Sequence, residues 1–337
     1  MPFYPRSITQ PARVKNEACP QTAPAFATGA AACMIPSAAW TQGYPARPVR
    51  LIVGTPPGTS PDAIARLFGQ WLSERVGQPF IIENRPGAGM NLATETVVRA
   101  PADGYALLLS SLTNAIDATL YTKLNFDFLR DIAPVGFIGD NAFLMAVTPS
   151  LPVKTVPEFI AYAKANPGKV NMASGRNGSA PHIFGELFKQ MASVNLVHVP
   201  YRSSFYPDLF AGEVQIAFIA VAGSLALVKA GKIRALAVTT TKRSEALPDL
   251  PTIGEFVPGY HASAWLGIGA PKDASAAVIA TLNKEINAIV SRPDLKSRLA
   301  GLGIVPRPMT PAEFGKFCAD ETDKWAKVIR NAGIKAD

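Results

Sequence analysis

The chain has 337 residues, of which 48% are hydrophobic and 17% charged, with 26 glycines, 30 prolines and a formal charge of +8. This is the composition of an ordinary globular protein, and it excludes disordered, collagen-like and coiled-coil classes. Because a single hydrophobic core stops growing at roughly 250 to 300 residues, the length predicts two lobes.

The excess of basic residues predicts a diffuse positive field that attracts small anions, not a nucleic-acid surface. Lys and Arg are spread along the chain, with no basic run and no aromatic-interleaved RNA motif. No long apolar stretch occurs, so no membrane span is predicted. Cys19, Cys33 and Cys318 lack metal-ligand spacing. We therefore expect no bound metal and no cofactor.

The first 42 residues differ from the rest and resemble an export signal. Basic residues come early, a small-residue apolar stretch covers Ala23 to Ala39, and Ser37-Ala38-Ala39 before Trp40 would suit cleavage. The alternative is a disordered or wrongly assigned start, because the apolar stretch contains no leucine run and is broken by prolines.

From Tyr44 onward, strand patterns alternate with helical patterns, which is typical of α/β layers. A helix is predicted after the first strand, with Ser60 as its N-cap and Pro61 at its first position. The strands predicted in this part of the chain are Val49 to Val53, Phe80 to Ile82 and Tyr105 to Ser110, and a further helix is predicted over about Asn91 to Arg99.

A second run of strands and helices opens near Thr155, which forms a capping box with Glu158. A later helix is predicted to end at Gly231, and the last helix begins with a capping box of Thr310 and Glu313. The strands predicted here are Val170 to Ser174, Leu196 to Val199, Val214 to Ile219, Ile233 to Thr239 and Ser263 to Gly269, with a helix over Ser179 to Met191.

Two loops share one design, in which a strand leads into a glycine-containing turn rich in hydroxyl groups and then into a helix. They are Thr55 to Asp62 and Ser174 to Ser179. A helix start offers unpaired N–H groups and a partial positive charge, so it can hold a carboxylate or phosphate. Two such loops facing each other would grip both ends of a small diacid. The alternative for each loop is an ordinary helix N-cap.

The sequence contains no recognisable catalytic constellation, so we predict that the protein is not an enzyme. Gly87-Ala88-Gly89 lacks the third glycine and the downstream acid of a dinucleotide fingerprint. The three histidines, His182, His198 and His261, are not at metal-ligand spacing and are expected to be structural. Asp62 and Asp103 are expected to cap a helix or form Asx turns. The alternatives by class are an α/β hydrolase or transferase acting on a small acid, and a ligand sensor without a transport role.

Eight short motifs, in order along residues 43–337, resemble the Bug-type (TctC-like) substrate-binding receptors of tripartite tricarboxylate transporters. Each motif is weak alone, but the ordered set is specific. They are Tyr44-Pro45-Ala46-Arg47-Pro48-Val49-Arg50, the Pro57-Gly58 loop ending in Asp62, Glu83-Asn84-Arg85-Pro86-Gly87-Ala88-Gly89, Pro101-Ala102-Asp103-Gly104-Tyr105, His198-Val199-Pro200-Tyr201-Arg202, Ala230 to Val238, Ala246 to Thr252 and Lys324 to Ile329.

The resemblance implies an exported periplasmic receptor that loses its leader, closes around a small organic mono- or dicarboxylate and delivers it to membrane permease subunits. It implies a periplasmic-binding-protein-like fold in which each lobe is a mainly parallel sheet flanked by helices, with the ligand cleft between the lobes. The implied division is 43–147 plus 265–337 for lobe 1 and 148–264 for lobe 2. We expect a monomer that binds no nucleic acid.

The resemblance also implies which residues contact the ligand, largely through backbone N–H groups, hydroxyls and ordered water. By position they are Thr55, Gly58, Thr59, Ser60, Asp62, Ser110, Thr113, Ser174, Asn177, Gly178, Ser179, Tyr201, Arg202 and Ser203.

This chain departs from the family pattern in four places. Relatives usually have glycine where Thr59 and Ser203-Ser204 stand. Arg176 occupies the position of a glycine in the second loop, where it could pair with a ligand carboxylate or point to solvent. Many relatives also have an aspartate after the strand that ends here at Phe218-Ile219, and its absence argues against an amine-bearing ligand.

Overall fold

The computed structural model describes residues 43–336. The export leader predicted for residues 1–42 lies outside the described residues. Within 43–336, no helix combines the length and the apolar character that crossing a membrane requires.

Two helix-covered sheets form the fold, which confirms the predicted two-lobe α/β architecture. The first sheet has the strand order β11-β4-β10-β3-β1-β2. Its strands are β1 (Val49–Val53), β2 (Phe80–Asn84), β3 (Ala106–Ser111), β4 (Ile132–Asn141), β10 (Ala264–Pro271) and β11 (Ile304–Pro306). The second sheet has the order β7-β6-β8-β5-β9. Its strands are β5 (Phe143–Val147), β6 (Val170–Ser174), β7 (Leu196–Pro200), β8 (Ile216–Ala220) and β9 (Arg234–Val238).

Helices connect the strands and cover both sheets. They are α1 (Ser60–Val76), α2 (Asn91–Val98), α3 (Leu112–Leu120), α4 (Phe128–Asp131), α5 (Val156–Ala165), α6 (Ala180–Ala192), α7 (Tyr206–Ala211), α8 (Val221–Lys229), α9 (Ala276–Val290), α10 (Pro293–Gly301) and α11 (Pro311–Ala332), with short 3₁₀ turns at Ala88–Met90 and Ile253–Glu255.

Several helix ends follow from local sequence. Thr155 caps α5 by accepting the Glu158 N–H, and Thr310 forms a reciprocal capping box with Glu313 at α11, as predicted. Gly231 follows α8 with a φ of +65°, which a glycine adopts without strain.

Both sheets are mixed, whereas the sequence favoured mainly parallel sheets. Strands joined by crossover helices pair in parallel: β1 with β2 and β3, and β6 with β7 and β8. The chain leaves the first sheet through β4 and returns through β10, and these two strands pair antiparallel. An outgoing and a returning strand side by side necessarily run in opposite directions. The same reason applies to β5, which leads into the second sheet, and β9, which leads out of it and pairs antiparallel with β5. Strand β8 also pairs antiparallel with β5, on the other side.

The position of strand β5 differs from what the predicted boundary between the lobes implies. The predicted division gives residues 143–147 to lobe 1, whereas the strand they form is hydrogen-bonded within the second sheet. The chain therefore changes sheet at Ala142, between β4 and β5. The division into lobes beyond this sheet pairing stays a prediction.

The last helix, α11, connects the two sheets. Trp325 is fully buried and its ring lies 5.4 Å from that of Phe184 on α6, while Phe314 packs edge-on against Trp265 of β10 at 5.9 Å. Gln190 of α6 also donates to the Val328 carbonyl at 3.2 Å. Helix α11 also packs along α3, so it joins α3 to α6, the helix that follows the second candidate loop.

Candidate ligand-binding site

Loop 1, residues 54–59 between β1 and α1, is held from inside by Asp62. This carboxylate is 2% exposed and accepts hydrogen bonds from the Gly58 N–H (2.9 Å), Arg66 Nε (3.0 Å) and Asn84 Nδ2 (2.9 Å). Desolvation raises its pKa, but the bonds from Arg66, Gly58 and Asn84 outweigh it and lower the pKa. Asp62 therefore braces the loop, and the Gly58 amide points at Asp62 in this structure. The expected role as a helix cap or Asx turn is not what the structure shows, since Thr59 is the N-cap of α1 and Asp62 bonds back to the loop before it.

The hydroxyls of loop 1 bond to one another. Thr59 Oγ1 lies 2.9 Å from Thr55 Oγ1 and 2.8 Å from the Pro56 carbonyl oxygen. Thr59, not Ser60, is the N-cap of α1, so the predicted cap is displaced by one residue. The first backbone bond at this end runs from Ala63 N–H to the Thr59 oxygen. The N–H groups of Ser60 and Asp62 come before this first bond and have no acceptor within the helix. They are therefore the donors that the start of α1 offers to a ligand.

At the end of β3 the structure separates two adjacent serines. Ser111 is the N-cap of α3: its Oγ accepts from the Thr113 N–H and its N–H donates to Asn114 Oδ1. The side chain of Ser110 lies on the other face of the strand and lines a cavity of about 40 Å³ with Phe128 and Phe314. Ser110 is therefore not brought to the loops. Sequence reasoning missed Ser111, although Ser111-Leu-Thr-Asn114 has the spacing of a helix cap.

Loop 2, residues 175–179 between β6 and α6, is a tight turn. Gly178 has a φ of +69° and its N–H donates to His182 Nδ1 at 3.1 Å. The Ser179 N–H donates to the Arg176 carbonyl at 3.1 Å, and the Arg176 guanidinium donates to the Asn177 carbonyl at 3.0 Å. Among the described residues, the Ser179 hydroxyl is buried without a hydrogen-bond partner. Loop 2 thus presents one cation and one unsatisfied hydroxyl.

Two histidines support loop 2 from behind. Ser174 at the end of β6 is fully buried, and its Oγ lies 2.6 Å from His198 Nε2. His182 stacks on His198, and Glu186 lies 3.6 Å from His182 Nε2 while pairing with Lys189 at 2.7 Å. Both histidines are thus structural, as expected from their spacing, but their support of the loop was not foreseen.

The third predicted segment, residues 201–203 after β7, contributes differently from the two loops. The Tyr201 N–H donates to the Ser174 carbonyl at 2.9 Å, which ties this segment to the base of loop 2. The Tyr201 hydroxyl donates to Asp208 at 2.6 Å. Desolvation and this bond raise the pKa of Tyr201 to about 12. Arg202 and Ser203 are exposed.

Loops 1 and 2 approach opposite ends of α3. A Cβ built on Gly54 would lie 2.5 Å from Cβ of Met90, whose sulfur is 3.5 Å from the Ser111 hydroxyl at the start of α3. A Cβ built on Gly178 would lie 2.3 Å from Cδ2 of Leu120, the last residue of α3. Helix α3 therefore forms one wall of any cleft that the two loops share. The contacts of the predicted site residues with a ligand stay predictions.

Known proteins resemble the chain over nearly its whole described length. A model of the "Tripartite tricarboxylate transporter family receptor", TctC, matches residues 64–334. Protein BugT of Bordetella pertussis is 35% identical over 297 residues, covering 87% of this chain and 91% of BugT.

Two solved structures from Rhodopseudomonas palustris carry small acids. Rpa4515 with adipate is 35% identical with a TM-score of 0.76, and the match covers 87% of this chain and all of that one. MatC (Rpa3494) with bound malate is 28% identical with a TM-score of 0.71, and the match covers 85% of this chain and all of MatC. On these grounds the chain belongs to the tripartite tricarboxylate transporter receptor (TctC) family, whose members are substrate-binding receptors and not enzymes.

Proposed function

We propose that the protein is an exported, periplasmic receptor that binds a small organic carboxylate and delivers it to the membrane permease of a tripartite tricarboxylate transporter. The observation that carries the ligand class is the relative with bound adipate, which is 35% identical and matched over its whole length. The malate-bound relative belongs to the same chemical class.

The donors around α3 support an anionic ligand. The starts of α1 and α6 offer amides and a partial positive charge, and loop 2 adds the Arg176 guanidinium. Within residues 43–336 this guanidinium forms no salt bridge, while the carboxylate that braces loop 1, Asp62 of α1, is already bonded on both oxygens. The two loops and the helix starts that follow them thus offer more unpaired hydrogen-bond donors and positive charge than unpaired negative charge.

A thermal-shift screen tests the ligand class. We expect adipate, malate or another small carboxylate to raise the melting temperature, because a ligand at a hundredfold excess over its Kd stabilises the folded state by about 2.7 kcal/mol. Maltose and divalent metal salts serve as controls of other chemistry. A shift with a sugar or a metal and none with any acid would overturn the carboxylate assignment.

Transport and export need their own measurements. We expect the acid-loaded protein to stimulate uptake of that acid by vesicles containing the cognate permease, and the unloaded protein to have no effect. Binding without stimulated uptake would favour a sensor over a transport receptor. The N-terminal mass of protein secreted to the periplasm tests removal of the leader, and light scattering after gel filtration tests the expected monomer.

A further inference from the structure

Asp117, in the last turn of α3, is a buried carboxyl group with no hydrogen-bond partner in the described part of the chain. It is 1% exposed, and neither of its oxygens has a hydrogen-bond partner among the described residues. Most buried polar groups in folded proteins are hydrogen-bonded, and an unpaired buried carboxylate is costly. A group in this state is therefore expected to meet its partner in another form of the protein, such as the ligand complex.

The surroundings of Asp117 come from several parts of the chain. A Cβ built on Gly89, which has a φ of +67°, would lie 2.5 Å from Asp117 Oδ2 and 3.0 Å from the Tyr121 hydroxyl. Loop 2 meets the same end of α3 where Gly178 lies against Leu120, and the positive charge of its Arg176 lowers the pKa of the carboxyl group. On the side of α11, Arg330 and Lys335 line a groove with Tyr121, but they are not among the groups that shift the pKa of Asp117.

The charge state of Asp117 follows from this setting. Desolvation raises its pKa to about 8, although Arg176 acts in the opposite direction. The C-terminal turn of a helix also disfavours negative charge. At neutral pH the group is mostly a carboxylic acid, which is an O–H donor that lacks an acceptor. Arg176, whose charge acts on this group, forms no salt bridge within residues 43–336.

We propose that Asp117 and Arg176 together recognise one carboxylate of a dicarboxylate ligand, with Asp117 donating its O–H and Arg176 supplying the compensating charge. This proposal rests on the proposed function and narrows its ligand class. A protonated carboxylic acid and a guanidinium both donate hydrogen bonds to an anion. An ammonium group on the ligand would instead be repelled by the positive charge of Arg176.

The position of Asp117 along α3 favours a diacid over a monoacid. Asp117 follows Leu112, the first residue of α3, by five positions, which is about 7.5 Å along the helix axis. Loop 1, which leads into α1, is linked to the first turn of α3 by two contacts: Gly54 lies against Met90, and the sulfur of Met90 contacts the Ser111 hydroxyl. The amides at the start of α1 therefore lie near that turn. A short diacid can therefore place one carboxylate near loop 1 and the other at Asp117 and Arg176.

Calorimetric titration with adipate at pH 6.5 and pH 9.5 tests the proposal, with hexanoate as the matched monoacid. For the unmodified protein we expect adipate to bind at least several-fold more weakly at pH 9.5, because a group with a pKa of about 8 is then mostly deprotonated. For Asp117→Asn, whose amide keeps an N–H donor, we expect affinity within a few-fold of the original at pH 6.5 and no such loss at pH 9.5. Hexanoate should bind at least tenfold more weakly than adipate.

Two further variants distinguish hydrogen-bond donation by Asp117 from a general effect of losing a carboxylate or a side chain. Asp323→Asn removes an exposed carboxylate and should keep the pH dependence of the unmodified protein. Asp117→Ala, which has no donor, should weaken adipate binding about tenfold at pH 6.5, a loss that Asp117→Asn should largely avoid.

Three results would overturn the proposal. One is a pH dependence that survives in Asp117→Asn, and another is an affinity for adipate that rises with pH. The third is tighter binding of an amine-bearing acid such as aspartate at high pH, which would make Asp117 the anion for an ammonium group. If the unmodified protein binds adipate with none of the expected dependence on Asp117, only this proposal fails. If it binds no carboxylate at all, the proposed function fails as well.

Discussion

The imidazole rings of His182 and His198 stack face to face, with ring centroids 3.5 Å apart and planes within 5° of parallel. Each ring bonds to one end of loop 2: His182 Nδ1 accepts from the Gly178 N–H, and His198 Nε2 lies 2.6 Å from Ser174 Oγ. The pair thus joins α6 and β7 behind the loop and fixes the turn that faces α3.

Replacing His182 should loosen loop 2. In His182→Phe the stacked ring is kept, but the buried Gly178 N–H loses its acceptor, which costs about 1 to 3 kcal/mol. In His182→Asn an amide oxygen can occupy the place of Nδ1, so we expect part of the stability and acid affinity to return. Thermal unfolding and titration with adipate measure both. Equal behaviour of the two variants would show that the Gly178 bond does not matter.

Loss of Asp62 should disorganise loop 1. Asp62→Ala leaves the Gly58 amide and Asn84 without their buried acceptor, so we expect a loss of about 2 to 4 kcal/mol in the free energy of unfolding. The control is Asp103→Ala, which breaks a surface pair with Arg47 and should cost less than about 1 kcal/mol. Denaturant titration of both variants makes the comparison.

The same residue predicts a response to acid. The folded-state pKa of Asp62 lies below its ordinary value, so its stabilising contribution is present above about pH 4 and is lost as the pH falls through the folded-state pKa. We expect the stability difference between the unmodified protein and Asp62→Asn to shrink between about pH 4 and pH 2. A constant difference over this range would contradict the assigned bonds.

Gly178 should be intolerant of any side chain. An alanine there would combine a φ of +69° with a Cβ at 2.3 Å from Leu120, so loop 2 could no longer lie against α3. We expect Gly178→Ala to weaken acid binding more than tenfold. Gly175→Ala is the matched control, because a Cβ there meets nothing within 4 Å. Similar affinities for the two variants would mean that the contact with α3 is not needed.

Asp117 should make the protein less stable at alkaline pH. Its folded-state pKa of about 8 lies above the unfolded value near 4, so its contribution is fully present below pH 4 and is lost as the pH rises to 8. Asp117→Asn does not titrate, so we expect its advantage in melting temperature over the unmodified protein to grow from pH 5 to pH 8. An advantage that is independent of pH would show that the carboxyl group does not change its charge on unfolding.

The sequence by itself determined the local elements and the family. The strand Val170–Ser174, the caps at Thr155 and Thr310 and the glycine after α8 were all predictable, because strand patterns, capping boxes and left-handed glycines depend on residues close in the chain. The ordered motifs identified the receptor family for the same reason, since each is a contiguous stretch.

Only the tertiary structure decided which groups face a ligand and which serve the scaffold. Whether a hydroxyl or amide is free depends on partners far along the chain: Asn84 donates to Asp62, His198 bonds to Ser174, and Gly178 lies against Leu120. The assignment of β5 to the second sheet, and the antiparallel pairing of β4 with β10, likewise depend on contacts between distant segments. A spacing rule carries no information about such contacts, because they arise when the two sheets and α11 pack together.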